Sequence, residues 1–329
     1  MIRLPINIGD YKTFLFMKTL IILDPIDKLS QRWDNSLLIG AELISRGHQV
    51  WCCDVPDLWA LKAQVFTDAK KLIFKSQEPL LKRFSTGSSK IWDVENFNLI
   101  LIRKEPPVDD AYLYMTYLLE MIADNVKIMN HPRGIRNANE KLWTLNFPKW
   151  IPQTVVTAKF KNIMNFKVKN RTPVVKPLNQ KGGKDVFILK PSSTARMKKM
   201  TLGGKFFIMA QQKISQKKGP GEKRIVLLNG KLLCAYVKKP QKGEFRANLD
   251  LGADFSPTTL TSKEKKLIRE LKPKLKEEGL DFVGLDVLQE KLLEVNVTCP
   301  AGVSEASFLH PHAKLFSAWA DFLEESASS

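Results

Sequence analysis

The sequence predicts an open α/β sheet over residues 17–130, followed by an antiparallel α+β region. Three observations carry this reading. Apolar runs of strand length alternate with helical periods before residue 130. After NHPRGIRNANEKLW, short strand-like runs alternate with Lys, Gly and Pro turns. Near the C-terminus, FVGLDVLQEKLLEVN reads as a hairpin with acids set among apolar residues.

In chain order, Lys18–Leu23 is a strand ending at Asp24-Pro25. Asp34-Asn35-Ser36 caps a helix that runs through Ile44, and Gly47 stops it. His48–Cys53 and Asn98–Ile102 are strands, Asp109–Ala123 has a helical period, and Val126–Met129 is a short strand. Residues 60–95 read as an irregular exposed excursion, marked by Lys70-Lys71 and FSTGSSK. No Gly-x-Gly-x-x-Gly is present, so a dinucleotide fold is not indicated. Later, TPVVKPL, KDVFILK and KFFIMAQ are strand-like, and KRIVLLNGKLLCAYV is a hairpin turning at Asn229-Gly230. Thr261 and Glu264 form a capping box for a helix with Leu267, Ile268, Leu271 and Leu275 on one face.

The expected division is an extension at 1–16, an N-terminal α/β unit at 17–135, a central unit at 136–214 and a C-terminal unit at 215–329. The extension reads as poorly ordered or as a mis-assigned start, because Met17 stands directly before a good strand. No run approaches the roughly 18 apolar residues of a membrane span, and the start lacks a small-residue cleavage site. Four cysteines without a Cys-x-x-Cys spacing read as reduced thiols of the cytoplasm.

The hairpin at 282–297 is where chemistry enters. Residues two apart share a strand face, so Glu294 and Asn296 point the same way, and closing the hairpin brings Asp286 beside Glu294. Two carboxylates in an apolar setting repel, and a cation is the simplest relief. An oxygen-only donor set suits Mg2+. The competing reading is a sheet whose outer face is simply polar.

The net charge of +18 is concentrated in one segment. Lys159 to Arg246 holds 23 Lys or Arg against three acids, Asp185, Glu222 and Glu244, and the remainder of the chain is nearly balanced. Such a segment faces nucleic acid, surrounds small polyanions, or is largely a solvated lysine surface. Within it, VVKPLNQKGGKDVFIL places Lys176 at a strand end and Gly182-Gly183 in the following loop. Paired glycines let backbone N–H groups approach a phosphate, although they equally make an ordinary hairpin turn. Arg224 and Arg246 lie in the same region, and a guanidinium fork suits carboxylate or phosphate.

Taken together, ILDPID, DNS, LIRKEPPVDDAYLYMTYLLE, NHPRGIRNANEKL, VVKPLNQKGG, GEKRIVLLNG, RANL and FVGLDVLQEKLLEVNVTCP form a collinear series from Met17 to about Leu323. In this series the chain resembles bacterial glutathione synthetase, of the ATP-grasp superfamily. The resemblance implies an ATP-grasp fold preceded by an open α/β domain. It implies Mg2+, with Mn2+ as a substitute, on Asp286, Glu294 and Asn296. It implies ATP phosphates on Lys141 and Lys176 under a loop of Lys181, Gly182 and Gly183. The adenine would lie against Ala210, Gln211, Gln212 and Lys213, with Glu222 on the ribose. Arg224, Arg246 and Asn248 would grip the peptide and stabilise an acyl phosphate, and Ser36 and Arg103 to Pro107 would shape the peptide and acceptor site. The implied substrates are ATP, γ-glutamylcysteine and glycine, and the implied assembly is a homotetramer.

The chain also departs from the family pattern. Asn179-Gln180-Lys181-Gly182-Gly183 stands where Asp-Gly-x-Gly-Gly is usual, and Lys213-Ile214-Ser215 replaces the usual hinge. Arg246-Ala247-Asn248-Leu249-Asp250-Leu251-Gly252-Ala253 replaces Arg-Gly-Asn-Leu-Ala-x-Gly-Gly. Cys299-Pro300-Ala301-Gly302 follows Asn296-Val297-Thr298 where Ser-Pro-Thr-Gly is usual. Two other readings compete with the resemblance. One is a paralogous carboxylate–amine ligase with another substrate, and the other is a lapsed ATP-grasp chain that binds nucleic acid.

Overall fold

The computed structural model describes residues 16–79, 82–170, 172–214 and 221–328. The expected extension therefore lies, apart from Phe16, outside the described residues, as does Ser215 of the hinge.

The first unit contains β1 (Lys18–Ile22), α1 (Asn35–Ser45), β2 (Gln49–Cys53), β3 (Leu58–Leu61), β4 (Gln64–Phe74), β5 (Phe84–Asp93), β6 (Leu99–Ile102), α2 (Asp110–Glu120), β7 (Lys127–Met129) and α3 (Pro132–Asn137). Its sheet runs β3-β4-β2-β1-β6-β7, with β5 on β4. The pairs β2–β1, β1–β6 and β6–β7 are parallel, as alternating strands and helices require. Asp34 caps α1 by accepting from the backbone N–H groups of Ser36 and Leu37.

Residues 60–95 are not an irregular excursion. They form most of an antiparallel extension in which β4 pairs with β2, β3 and β5. Inward positions of β4 are held by Val65, Thr67 and Ala69, all fully buried. Two of those three are small or polar, so the period of two is muted in the sequence.

A second sheet contains β8 (Thr154–Thr157), β9 (Pro173–Pro177), β10 (Phe187–Ile188) and β11 (Ile208–Gln212), in the order β10-β9-β11-β8. Helices α4 (Phe160–Asn170) and α5 (Thr194–Met200) accompany it, and Ile163, Val175, Met197 and Ile208 form its core.

The third sheet is β14-β13-β12-β15-β16, from β12 (Glu222–Leu228), β13 (Lys231–Lys239), β14 (Asp254–Pro257), β15 (Phe282–Leu288) and β16 (Lys291–Asn296). Helix α6 (Ser262–Glu277) covers one face through Leu267, Ile268, Leu271 and Leu275, and Thr261 and Glu264 exchange both capping-box hydrogen bonds. The chain closes with α7 (Val303–Leu309) and α8 (Leu315–Ala327). Helix α8 packs back on α1, and Trp319 stacks on Phe282 with centroids 4.1 Å apart. One core thereby joins the first sheet to the third. Asn130, at the end of β7, accepts from Phe282 N–H and donates to the carbonyls of Phe282 and Val297. Both strands of the acid-bearing hairpin are thus tied to the first sheet.

Candidate active site

The hairpin β15–β16 turns at Gln289 and Glu290, both with positive φ, in the two-residue geometry that matches strand twist. Its register sets Asp286 opposite Glu294 and Gly284 opposite Asn296. The amide of Asn296 donates to Gly284 O at 3.1 Å and to Asp286 Oδ2 at 3.3 Å. All three expected oxygen donors therefore gather on one patch.

The protein supplies cations to these acids. Lys238 Nζ donates to Asp286 Oδ1 at 2.9 Å and also lies 2.7 Å from Glu222 Oε1. Arg224 Nη2 donates to Asp286 Oδ2 at 3.2 Å, while its Nε lies 3.1 Å from Oδ1 but out of line for a hydrogen bond. Lys141 Nζ stands 3.4 Å from Glu294 Oε1 and donates to Gln180 O at 2.8 Å. Burial pushes the Asp286 carboxyl up, but Arg224 and Lys238, with hydrogen bonds from Lys238 and Asn296, outweigh it and hold it at about 2. Carboxylate repulsion is therefore relieved by side chains and does not by itself call for a metal. The fit of a metal rests on donor chemistry: Asp286, Glu294 and Asn296 offer hard oxygens, and the first two line an open cavity.

That cavity, about 590 Å³, lies between the second and third sheets. Its polar lining includes Lys176, Glu222, Asp286 and Glu294, and its apolar lining includes Val174, Val186, Ile214, Leu288 and Leu293. A volume of several hundred Å³ lined by both apolar and charged residues is that of a nucleotide-sized ligand site. Lys176 Nζ donates to Gln211 Oε1 at 3.0 Å. Burial lowers its pKa, Glu294 opposes that, and neighbouring Lys141 lowers it further, so an anion placed here would favour its charged form.

Gly183, Arg246 and Asn248 also line the cavity. Arg246 Nη1 donates to Gly183 O at 3.0 Å, which ties the glycine loop to the 244–248 segment. Glu244 accepts from Arg246 Nε at 3.1 Å and Nη2 at 2.7 Å, and from the backbone N–H groups of Phe245 and Arg246. Those bonds from Arg246 come first in holding the Glu244 carboxyl at about 2.

Of the expected residues, Lys176, Gly183, Gln211, Gln212, Lys213, Glu222, Arg246, Asn248, Asp286 and Glu294 line the cavity. Lys141, Arg224 and Asn296 reach its charged end through the bonds above. Ala210, also expected at the site, is not among the lining residues. It is fully buried in the middle of the second sheet, with β8 on one side and β9 on the other, and the ladder runs on through Gln212, so backbone free to read a ligand edge begins at residues 213–214. Lys181 and Gly182 are not among the lining residues either, and Lys181 Nζ pairs instead with Glu105 at 2.9 Å.

Ser36 and Arg103 of the first unit brace the loop that follows the hairpin. Buried Arg103 donates to Ser36 Oγ at 3.1 Å and to Pro300 O at 2.9 Å. Asn35 Oδ1 accepts from Val303 and Ser304 N–H. The loop at 299–302 is thereby held at both ends. Burial raises the Cys299 thiol pKa, as does the adjoining Glu105 carboxylate, and Arg103 opposes both.

Sequence reasoning missed Lys238, Glu244 and Glu140. Lys238 continues the inward face of Cys234 and Tyr236 on β13, a period-two signal that was available. Nothing local marks the other two. The basic segment divides in the structure: Lys176, Lys223, Arg224, Lys238 and Arg246 turn inward, whereas Lys159, Lys161, Lys190, Lys198, Lys199, Lys205, Lys231, Lys239 and Lys242 are exposed. No helix of the described residues is long and apolar enough to cross a membrane.

Family models match nearly the whole of this architecture. The prokaryotic glutathione synthetase N-terminal domain matches residues 17–136, and the ATP-grasp domain of the same family matches residues 140–310. A glutathione synthetase of Prochlorococcus marinus is 36% identical over 297 residues, covering 89% of this chain and 94% of its own. One from Vibrio cholerae is 34% identical over 290 residues, covering 87% and 90%. Among solved structures, D-cycloserine synthetase aligns with a TM-score of 0.64 at 15% identity, covering 93% of this chain and 99% of its own. An ATP-grasp ligase from Chryseobacterium gregarium, associated with peptide modification, aligns with a TM-score of 0.61 at 18% identity, covering 94% and 97%. At these identities the structures speak for the fold alone. The sequence relatives and both family models go further: the chain belongs to the prokaryotic glutathione synthetase family and is an ATP-dependent carbon–nitrogen ligase of glutathione synthesis.

Proposed function

We propose that the 590 Å³ cavity binds ATP and that the peptide carboxylate is activated at its charged end. The carrying observation is the convergence of Lys141 from the 139–141 stretch, Lys176 from β9, Asp286 from β15 and Glu294 and Asn296 from β16 on one patch. Lys176 and Lys141 hold phosphate oxygens. Asp286, Glu294 and Asn296 would hold Mg2+, or Mn2+ in its place, which neutralises phosphate charge when bound. The base lies against the apolar lining, with residues 213–214 at its edge and Glu222 toward the ribose.

Arg224 and Arg246 orient the γ-glutamylcysteine carboxylate and stabilise charge as its oxygen takes the terminal phosphoryl group of ATP, releasing ADP. Glycine's amine then attacks the acyl phosphate carbon, phosphate leaves, and a proton is lost from nitrogen as the amide forms. The protein's work is positioning and charge stabilisation, with no covalent enzyme intermediate. The three segments at 17–135, 136–214 and 215–329 act as substrate domain, lid and catalytic domain.

The test is a product assay with ATP, γ-glutamylcysteine and glycine, each omitted in turn. Glutathione, ADP and phosphate form in equal amounts only when all three are present. Turnover with another amine and none with glycine would overturn the acceptor assignment. In Glu294→Gln the fold persists and turnover is lost; near-normal turnover at saturating Mg2+ would remove Glu294 from the metal site.

A further inference from the structure

Glu140 occupies a junction that the reaction described above does not use. Its Oε1 accepts three hydrogen bonds: from Val297 N–H at 3.0 Å, Thr298 N–H at 3.2 Å and Thr298 Oγ1 at 2.8 Å. Its backbone carbonyl accepts from Val295 N–H at 2.9 Å. These partners bracket Asn296 on both sides and lead directly into Cys299. The residues flanking Glu140 reach the other way. Asn139 Nδ2 donates to Leu178 O at 3.1 Å, and Lys141 Nζ donates to Gln180 O at 2.8 Å. Three consecutive residues thus grip both the base of the glycine loop and the end of the hairpin that bears Asp286, Glu294 and Asn296.

A carboxylate is suited to this place. One oxygen with several lone-pair directions can satisfy two backbone N–H groups and a hydroxyl where the strand breaks into a loop. Thr298 is almost fully buried, so removing the acceptor strands donors that water cannot reach. We propose that Glu140 is a positioning residue for the ligase reaction: it sets Asn296 and the 299–302 acceptor loop in register with Lys141 and the phosphate loop. The proposal rests on the assignment of Lys141 and Asn296 to the Mg·ATP site.

The experiment compares Glu140→Ala, Glu140→Gln and Lys141→Ala with the parent protein. Binding of the non-hydrolysable analogue Mg·AMPPNP is measured by calorimetry, and kcat and the KM for glycine are measured well below each protein's unfolding temperature. In Glu140→Ala, nucleotide affinity falls and the glycine KM rises, each by about 10-fold or more, the range found when a group orienting a ligand residue is removed. Glu140→Gln retains an acceptor oxygen and recovers most of both losses. A folded Glu140→Ala with parental nucleotide affinity and parental glycine KM would overturn the proposal. Parental affinity in Lys141→Ala would overturn the ATP-site reading on which it rests. If Glu140→Ala does not fold, Thr298→Val removes one of the three donors, and a parental glycine KM in that variant overturns the proposal.

Discussion

Lys238 and Asp286 form a buried ion pair, Nζ to Oδ1 2.9 Å, that reaches across β12 from β13 to β15. Glu222 and Arg224, both on β12, complete a cluster of two acids and two bases. The same Asp286 is one of the three residues proposed to hold the metal. Lys238 and Arg224 thus already place on Asp286 the positive charge that a divalent ion would share in supplying. Lys238→Met leaves two acids on Arg224 alone and costs about 3–5 kcal/mol, as breaking a buried pair does. Thermal unfolding with and without Mg2+ and AMPPNP checks it: the variant gains more from the metal than the parent does. An equal gain in both proteins would separate the cluster from the metal site.

Gly182 and Gly183 are both left-handed, with φ of 64° and 69°, so either alanine carries roughly 1–2 kcal/mol of backbone cost. They differ in surroundings. A Cβ on Gly183 would stand 2.6 Å from Asn248 Oδ1 and 3.2 Å from Arg246 Cδ, whereas on Gly182 the nearest neighbour is 3.5 Å away. Gly183→Ala displaces two side chains assigned to the peptide, so it raises the γ-glutamylcysteine KM well beyond Gly182→Ala. Steady-state kinetics on the pair decide this, and the reverse ranking would place the peptide elsewhere.

The loop at 299–302, proposed to meet the acceptor, has Cys299 and Ala301 where the resemblance leads to the expectation of Ser and Thr. The loop itself is firmly held, by Arg103 on Pro300 O and Arg224 on Ala301 O. Restored hydroxyls would therefore appear at set positions. Each hydrogen bond to a charged group contributes about 1.5–3 kcal/mol. The double variant Cys299→Ser, Ala301→Thr lowers the glycine KM and leaves nucleotide affinity unchanged. An unmoved glycine KM would mean that the loop does not touch the acceptor.

Glu244 supplies a pH signature. Hydrogen bonds from Arg246 and from the backbone lower its carboxyl from 4.5 to about 2 in the folded chain. A depressed carboxylate pKa gives stability that is present above about 4.5 and lost as pH falls toward 2. The side chain is partly exposed, so solvent and salt screen part of that contribution. Urea midpoints of the parent and Glu244→Gln, measured across this window, converge as the pH drops. A constant difference would mean that the carboxylate is not held by Arg246 in solution.

Much of this was legible from local pattern. The Asp34 cap, the Thr261–Glu264 capping box and the Asn229-Gly230 turn are interactions over two to three residues, and all appear in the structure. The pairing of Asp286 with Glu294 and Asn296 was legible too, because strand period and a short turn determine register within one hairpin. The ribbon of β4 and β5 was not, since Thr67 and Ala69 carry its inward face without marking it as apolar.

By itself the sequence determined the parallel α/β order of the first unit outside the β3–β5 ribbon, the acid-bearing hairpin and the family-wide series of motifs. Only the tertiary structure decided which cation meets which acid. Lys238 finds Asp286 from 48 residues away, Lys181 turns to Glu105 rather than to the cavity, and Glu140 grips Thr298 from 158 residues away. Strand period and cap chemistry act over a few residues. Charge pairing across sheets depends on crossings and loop paths that no local spacing encodes.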